Sequence, residues 1–193
     1  GFLSFKKSTA ITIDDATKTF GTDNPGFTYT ANGLVGSEST DVLGITISTT
    51  ATKTSDVGTY AITGTANAKN YSVTFTNGTL TITKATATNP APIAKEYVYG
   101  LGSEGKVYIP IGSLLPENNG GFILSSSKVD ENNIIDTLAN GESEISYVVK
   151  NTGSAGQTAT ITVVAEMNNY ENATITINIT LVDKLVVSLK NDV

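Results

Sequence analysis

Few stretches of this chain have residue types and spacing that could do chemistry. Gly100-Leu101-Gly102-Ser103-Glu104-Gly105-Lys106 satisfies G-x-G-x-x-G and nearly satisfies the phosphate-binding loop, which would make it a nucleotide site. Such a loop needs Ser or Thr after the lysine and a helix whose first amides point at phosphate. Val107-Tyr108-Ile109-Pro110 follows instead, a β-type run closed by proline, so the segment reads as a hairpin turn. Ser125-Ser126-Ser127-Lys128 spells the S-x-x-K of penicillin-recognising serine enzymes, where the serine opens a buried helix. Neither S-D-N nor K-T-G occurs elsewhere and the flanks are strand-like, so a polar loop is expected there.

Carboxylates come in pairs at Asp14-Asp15, Asp130-Glu131 and Glu142/Glu144. Adjacent residues on a strand point to opposite faces, so the first two pairs cannot converge as general acid and base, and all three read as solvated turn acids. Calcium at Asp130-Glu131 or at Asp14-Asp15-Asp23 would use suitable oxygen ligands, but no EF-hand spacing is present, and no metal site is assigned. Tyr97, Tyr99 and Tyr108 are the candidate ligand-binding residues, because exposed aromatic rings stack on sugars. Period 2 puts Tyr97 and Tyr99 on one face, where a core role competes with a glycan platform. The sequons at Asn70, Asn77, Asn172 and Asn178 carry little meaning in a chain so rich in threonine.

Composition removes most other chemistries. The 193 residues include no His, Cys or Trp, and all twelve basic residues are lysines. Without His or Cys there is no Ser/His or Cys/His nucleophile pair, no usual zinc, haem or iron-sulfur ligation and no disulfide. Without Arg there is no bidentate clamp for phosphate or carboxylate. No catalytic residue, cofactor or enzyme activity is therefore expected. A net charge of -6 argues against nucleic acid and against an anionic membrane, since both need clustered basic residues. No run approaches the roughly 20 apolar residues that would span a bilayer, so membrane insertion is not expected of this segment. Gly1 to Lys7 is too short and too polar for a signal peptide.

The elements that must position these residues read as strands. Thr9-Ala10-Ile11-Thr12-Ile13, Phe27-Thr28-Tyr29-Thr30, Ile45-Thr46-Ile47 and Tyr71-Ser72-Val73-Thr74-Phe75 alternate with period 2. Asn77-Gly78 between Tyr71–Phe75 and Leu80–Ile82 predicts a tight hairpin, since both residues accept positive φ. At most one short helical turn is expected, near residues 36–43. Further on, strands are predicted at Lys95–Tyr99, Lys106–Ile109, Gly121–Leu124, Ile134–Leu138, Ile145–Val149, Thr158–Val164 and Ala173–Leu181. Such spacing predicts an antiparallel sandwich.

Composition shifts near residue 89. Of 31 threonines, 23 lie before it and 8 after, and the net charge of zero up to residue 88 becomes -6 beyond it. Asn89-Pro90-Ala91-Pro92 cannot extend a ladder, so residues 87–92 are expected to link a β-module at 9–86 to a β-sandwich at 93–184. Leu3-Ser4-Phe5-Lys6-Lys7-Ser8-Thr9-Ala10 lines up with Leu80-Thr81-Ile82-Thr83-Lys84-Ala85-Thr86-Ala87, which suggests that residues 1–8 end a preceding repeat. Leu185–Leu189 resumes a strand-like run, so residues 185–193 are expected to start a next module or form a tail.

Residues 9–85 resemble the MBG-type repeats of bacterial cell-surface adhesins, named for mucin binding in Gram-positive bacteria. The resemblance lies in Asp15-Ala16-Thr17-Lys18-Thr19-Phe20-Gly21, Asp23-Asn24-Pro25, Phe27-Thr28-Tyr29, Gly33-Leu34, Val57-Gly58-Thr59-Tyr60-Ala61-Ile62, Asn70-Tyr71 and Asn77–Ala85. Phe20 stands where the family's first motif usually has tyrosine, keeping the ring and losing the hydroxyl. Residues 93–184 are similar to Ig-like repeats of Firmicute surface proteins through Asn168-Asn169-Tyr170-Glu171-Asn172-Ala173-Thr174-Ile175-Thr176-Ile177.

The resemblance implies two tandem β-domains, the first compact and β-grasp-like or Ig-like, the second an Ig-like sandwich, in an extracellular array on a bacterial surface. It implies a non-enzymatic stalk or spacer, or part of a region adhering to host glycan or mucin, with neighbouring repeats of the same chain as further partners. The competing expectation is a carbohydrate-binding accessory region of a secreted glycosidase.

Overall fold

Alternating β-branched and polar residues leave this chain almost no helix-forming segment, and the computed structural model, which describes residues 5–99, 105–150 and 152–184, is mainly β. Residue contacts divide it into two units, Gly1–Ala85 and Thr86–Val193.

The first unit contains β1 (Lys7–Ile13), β2 (Ala16–Thr19), β3 (Tyr29–Asn32), β4 (Thr46–Thr49), β5 (Gly58–Thr65), β6 (Tyr71–Thr76) and β7 (Gly78–Thr83). Lys7 and Ser8, expected to close a preceding repeat, lie in β1; Leu3 and Ser4 of that alignment fall outside the described residues. The expected helical turn is a single 3-10 turn at Thr40–Leu43, ended by Gly44 in the left-handed region. Two sheets form, in the orders β3-β1-β6 and β2-β7-β5-β4. Their inward residues, Ile11 and Ile13 from one and Ile62, Leu80 and Ile82 from the other, build a small core with Leu43.

The predicted hairpin at Asn77-Gly78 does not form. β6 pairs with β1, β7 pairs with β2 and β5, and neither Asn77 nor Gly78 has a positive φ. Glycine is required for another reason: a Cβ on Gly78 would collide with the Asp14 carbonyl of the neighbouring strand. From Thr76 to Gly78 the chain advances at most about 7.2 Å, less than the ~10 Å between facing sheets, so it cannot double back across the core. It passes on from one sheet into the other. β1 does the same into β2 at Asp14-Asp15, and at both crossings the buried positions shift by one residue, from Ile13 to Lys18 and from Tyr71 to Leu80 in their respective alternations. The two crossing strands lie parallel in one unbroken register: Lys7 pairs with Tyr71, Thr12 with Thr76, Ala16 with Leu80 and Thr19 with Thr83.

The second unit contains β8 (Ile93–Val98), β9 (Lys106–Pro110), β10 (Phe122–Val129), β11 (Ile135–Asn140), β12 (Glu144–Val149), β13 (Thr158–Met167) and β14 (Ala173–Val182), with a 3-10 turn at Gly112–Leu114. Sheets β10-β13-β14-β8 and β11-β12-β9 make an Ig-like sandwich. It is antiparallel except at one edge, where the first strand, β8, runs parallel to the last, β14. Strict alternation along β13 and β14 buries Ile161, Val163, Ala165, Ile175, Ile177 and Ile179 against Ile109, Ile145 and Tyr147 of the other sheet. Ser125–Lys128, expected as a polar loop, belong to β10, because the long β13 pairs with them residue for residue, Ser125 with Val164 and Lys128 with Ile161.

Candidate functional site

The three tyrosines do not form one surface. Tyr97 on β8 is 8% exposed and Tyr147 on β12 is 0% exposed; their hydroxyls meet at 2.6 Å and their rings cross edge to face at 6.3 Å. Tyr97 is thus a core residue that bridges the two sheets. Burial, then the hydrogen bond and charge of Tyr97, push the ionisation of Tyr147 far above the ordinary tyrosine value. Tyr99, just past the end of β8, is 39% exposed, and Tyr108 on β9, in the opposite sheet, is 59% exposed. Lys106 sits 5.6 Å from the Tyr108 ring centre. Tyr99 and Tyr108 are therefore the candidate residues with ring surface available for stacking. Gly100–Glu104 of the glycine motif lie outside the described residues, and Lys106 opens β9 without a helix.

The carboxylates are occupied by local structure. Asp14 accepts from the Thr28 hydroxyl at 2.6 Å, and Asp15 accepts from the Thr79 amide at 2.8 Å where the strands change sheets. Asp130, with a side chain 3% exposed, accepts from the amides of Ile134 and Ile135 at 2.8 Å each and pairs with Lys128 at 3.3 Å. Burial pushes its ionisation up, but the two amide bonds and Lys128 outweigh it and hold the carboxyl below the ordinary value. Lys128, the S-x-x-K lysine, donates in addition to the Ile135 carbonyl at 2.6 Å, so its ammonium serves the turn between β10 and β11. Among the described residues no three carboxylates gather to hold a metal ion.

Two polar centres in the first unit escaped the sequence reading. Lys18 is 7% exposed and donates to the carbonyls of Thr52 at 2.7 Å and Thr22 at 3.1 Å, while Asn24 donates to the Ala51 carbonyl at 2.7 Å. Together they tie the loop after β2 to the loop after β4. A signal existed, since the alternation Ala16, Lys18, Phe20 places this lysine on the buried side of its strand. Tyr71, 3% exposed, donates its hydroxyl to Glu38 and accepts from the Val35 amide at 3.2 Å. Lys7 lies 5.5 Å from its ring centre and 3.7 Å from Glu38. This cluster pins the loop containing Val35 and Glu38 to β6.

A groove of about 640 Å³ lies between the start of β10 and the turn that joins β11 to β12, lined by Phe122, Ile123, Leu124, Asn140, Gly141 and Glu142. It offers one carboxylate and no nucleophile-base pair. No described helix is long and apolar enough to cross a membrane.

Residues 10–81 match the family model of the MBG domain, YGX type. The match starts within β1 and ends within β7, so it spans the two crossing strands and the Lys18 centre of the first unit. No curated protein matches the chain. Solved structures with some likeness include an endo-fucoidan hydrolase, MfFcnA4 from glycoside hydrolase family 107 (16% identity, TM-score 0.38, 84% of this chain and 25% of that one). Sidekick-1 immunoglobulin domains 1-4 give 11% identity and a TM-score of 0.40 over 95% of this chain and 51% of that one. The human desmocollin-1 ectodomain gives 13% and 0.36 over 93% and 41%. This chain spans between about a quarter and a half of those structures.

Proposed function

We propose that these units are non-enzymatic spacer modules of a bacterial cell-surface adhesin, residues 9–86 forming the MBG domain and residues 93–184 an Ig-like domain, joined by the proline-containing segment 87–92. The observation that carries the reading is the course of the chain in each unit. In the first, the opening and closing strands run parallel, from Lys7 and Tyr71 at one end to Thr19 and Thr83 at the other. In the second, β8 and β14 do so from Ile93 and Ile177 to Val98 and Val182. A chain that arrives at one end of a module and leaves at the opposite end suits tandem extension away from a surface. The MBG match and the absence of His, Cys and Arg support the same reading.

A glycan and mucin array probed with the whole chain tests it. Spacer modules should bind no glycan more tightly than about 1 mM, roughly -4 kcal/mol. Tighter binding, lost in Tyr99→Ala or Tyr108→Ala while the melting temperature holds, would instead place host-glycan recognition on these residues.

A further inference from the structure

In each unit the opening strand and the closing strand are not merely parallel; they are bonded directly to each other. In the first unit the pairing is continuous across the change of sheet, with every partner of Lys7–Thr12 and Ala16–Thr19 lying 64 residues further on. The Asp15 carboxylate accepts the Thr79 amide at the crossing, and Gly78 packs against the Asp14 backbone there, so the two strands stay in contact through the bend. At the start the Lys7 amide donates to the Asn70 carbonyl at 2.8 Å, and at the far end the Phe20 amide donates to the Thr83 carbonyl at 2.9 Å. In the second unit, β8 and β14 pair from Ile93 with Ile177 to Val98 with Val182. The ladder is prolonged by the Asn89 side chain on the Thr174 amide at 2.8 Å and by the Tyr99 amide on the Val182 carbonyl at 3.3 Å.

Tension applied through the chain pulls the opening strand one way and the closing strand the other, along their common axis. All the bonds between them are then strained together, instead of opening one at a time from an end. We infer that both units are load-bearing clamps, in which the paired first and last strands resist extension of the chain. This deepens the spacer reading and rests on it, because a clamp matters only where the two ends of a module are pulled apart. The two units reach the arrangement by different topologies, one with strands that change sheets and one with a single parallel edge pair.

The direction of pulling tests the inference in the whole chain, whose lack of cysteine lets engineered thiols serve as the only attachment points. With Phe5→Cys and Thr86→Cys, force runs along the ribbon and shears it. With Phe5→Cys and Lys69→Cys, both handles lie at the Lys7–Tyr71 end, and the same ribbon is peeled pair by pair. Single-molecule stretching at equal loading rate should give a rupture force at least about twofold higher for shear than for peeling, since the shared load falls on several bonds rather than one. Ala91→Cys with Asp183→Cys against Ala91→Cys with Glu171→Cys makes the same comparison in the second unit. Equal forces in the two directions would overturn the inference.

Following the alternation of a parallel ladder from the Lys7 amide, the Thr74 amide donates to β1, so Thr74→Pro should lower the shear force in the first unit. An unchanged force in a folded Thr74→Pro chain would overturn the clamp there, and if that variant fails to fold, the two pulling directions still decide. Weak shear in a folded chain removes the clamp and leaves the spacer reading to the glycan array. Tight glycan binding removes the spacer reading and leaves the measured force untouched.

Discussion

Removing the hydroxyl of Tyr97 should damage the second unit more than its small volume suggests. In Tyr97→Phe the ring stays, and with it the edge-to-face contact with Tyr147 and the burial between the sheets. The Tyr147 hydroxyl, fully buried, loses the bond it makes at 2.6 Å. An unpartnered buried hydroxyl costs about 1–3 kcal/mol, whereas removing both partners at once is close to neutral. Tyr97→Phe should therefore lower unfolding free energy by about 1–3 kcal/mol, and Tyr97→Phe with Tyr147→Phe should recover most of that loss. Urea unfolding of the four chains in the cycle measures it.

Alkaline pH supplies a second readout of the same pair. The folded state holds Tyr147 protonated well above the ordinary tyrosine value, so its stabilising effect is complete below about pH 10 and is lost as pH rises above it. There the unfolded chain releases a proton that the folded chain keeps, and stability should fall by about 1.4 kcal/mol per pH unit from this group. Tyr147→Phe should remove that slope. A Tyr97→Phe chain as stable as the parent, or an alkaline slope left unchanged by Tyr147→Phe, would refute the account and reopen Tyr97 as a surface residue.

Other outcomes follow from the centres already described. Asp130→Ala strands the backbone amides of buried Ile134 and Ile135 and should cost the second unit about 2 kcal/mol or more by chemical unfolding. Because the folded Asp130 carboxyl ionises below its ordinary value, its contribution is present above about pH 4 and lost as pH falls through the folded value, an acid limb that Asp130→Ala should lack. Lys18→Ala, which removes the buried stem and both carbonyl bonds, should cost the first unit about 2–3 kcal/mol. Lys18→Met keeps the stem, and hydrogen exchange should quicken in the loops around Thr22 and Thr52 while stability moves by less than about 1 kcal/mol. Cutting between Lys84 and Ile93 should give two fragments that each melt cooperatively, checked by calorimetry of the separated pieces.

The strands of the second unit were legible because their alternation is governed by burial. Ile145 to Val149, Thr158 to Val164 and Ala173 to Leu181 each put β-branched residues on one face, and each is a strand. Burial periodicity says nothing about which strands are neighbours, so the pairing of β8 with β14 was out of reach. Asn77-Gly78 misled for a related reason. The dipeptide suits a tight turn, but the same glycine also suits a close passage between backbones, and only the distant Asp14 distinguishes the two. Period 2 predicts one face for Tyr97 and Tyr99, but β8 ends at Val98, so Tyr97 alone follows the alternation into the core while Tyr99 lies past the strand.

Lys18 shows how a residue can be visible and still be passed over. Lysine on a threonine-rich strand reads as solvated, and twelve lysines in the chain make any one of them unremarkable by type. Its position between Ala16 and Phe20 sets it apart, because the buried face of β2 must carry whatever residue falls there. An ammonium on that face is tolerable only if its stem packs and its head finds acceptors, and the carbonyls of Thr22 and Thr52 are those acceptors. The same bonds hold the end of β2, where Phe20 meets Thr83 and the paired strands of the first unit finish. Lys18 thus ties the loops at the far end of the ribbon, and loosening them in Lys18→Met should lower the force needed to shear that ribbon. An unchanged shear force in Lys18→Met would confine the lysine to holding its two loops and separate it from the clamp.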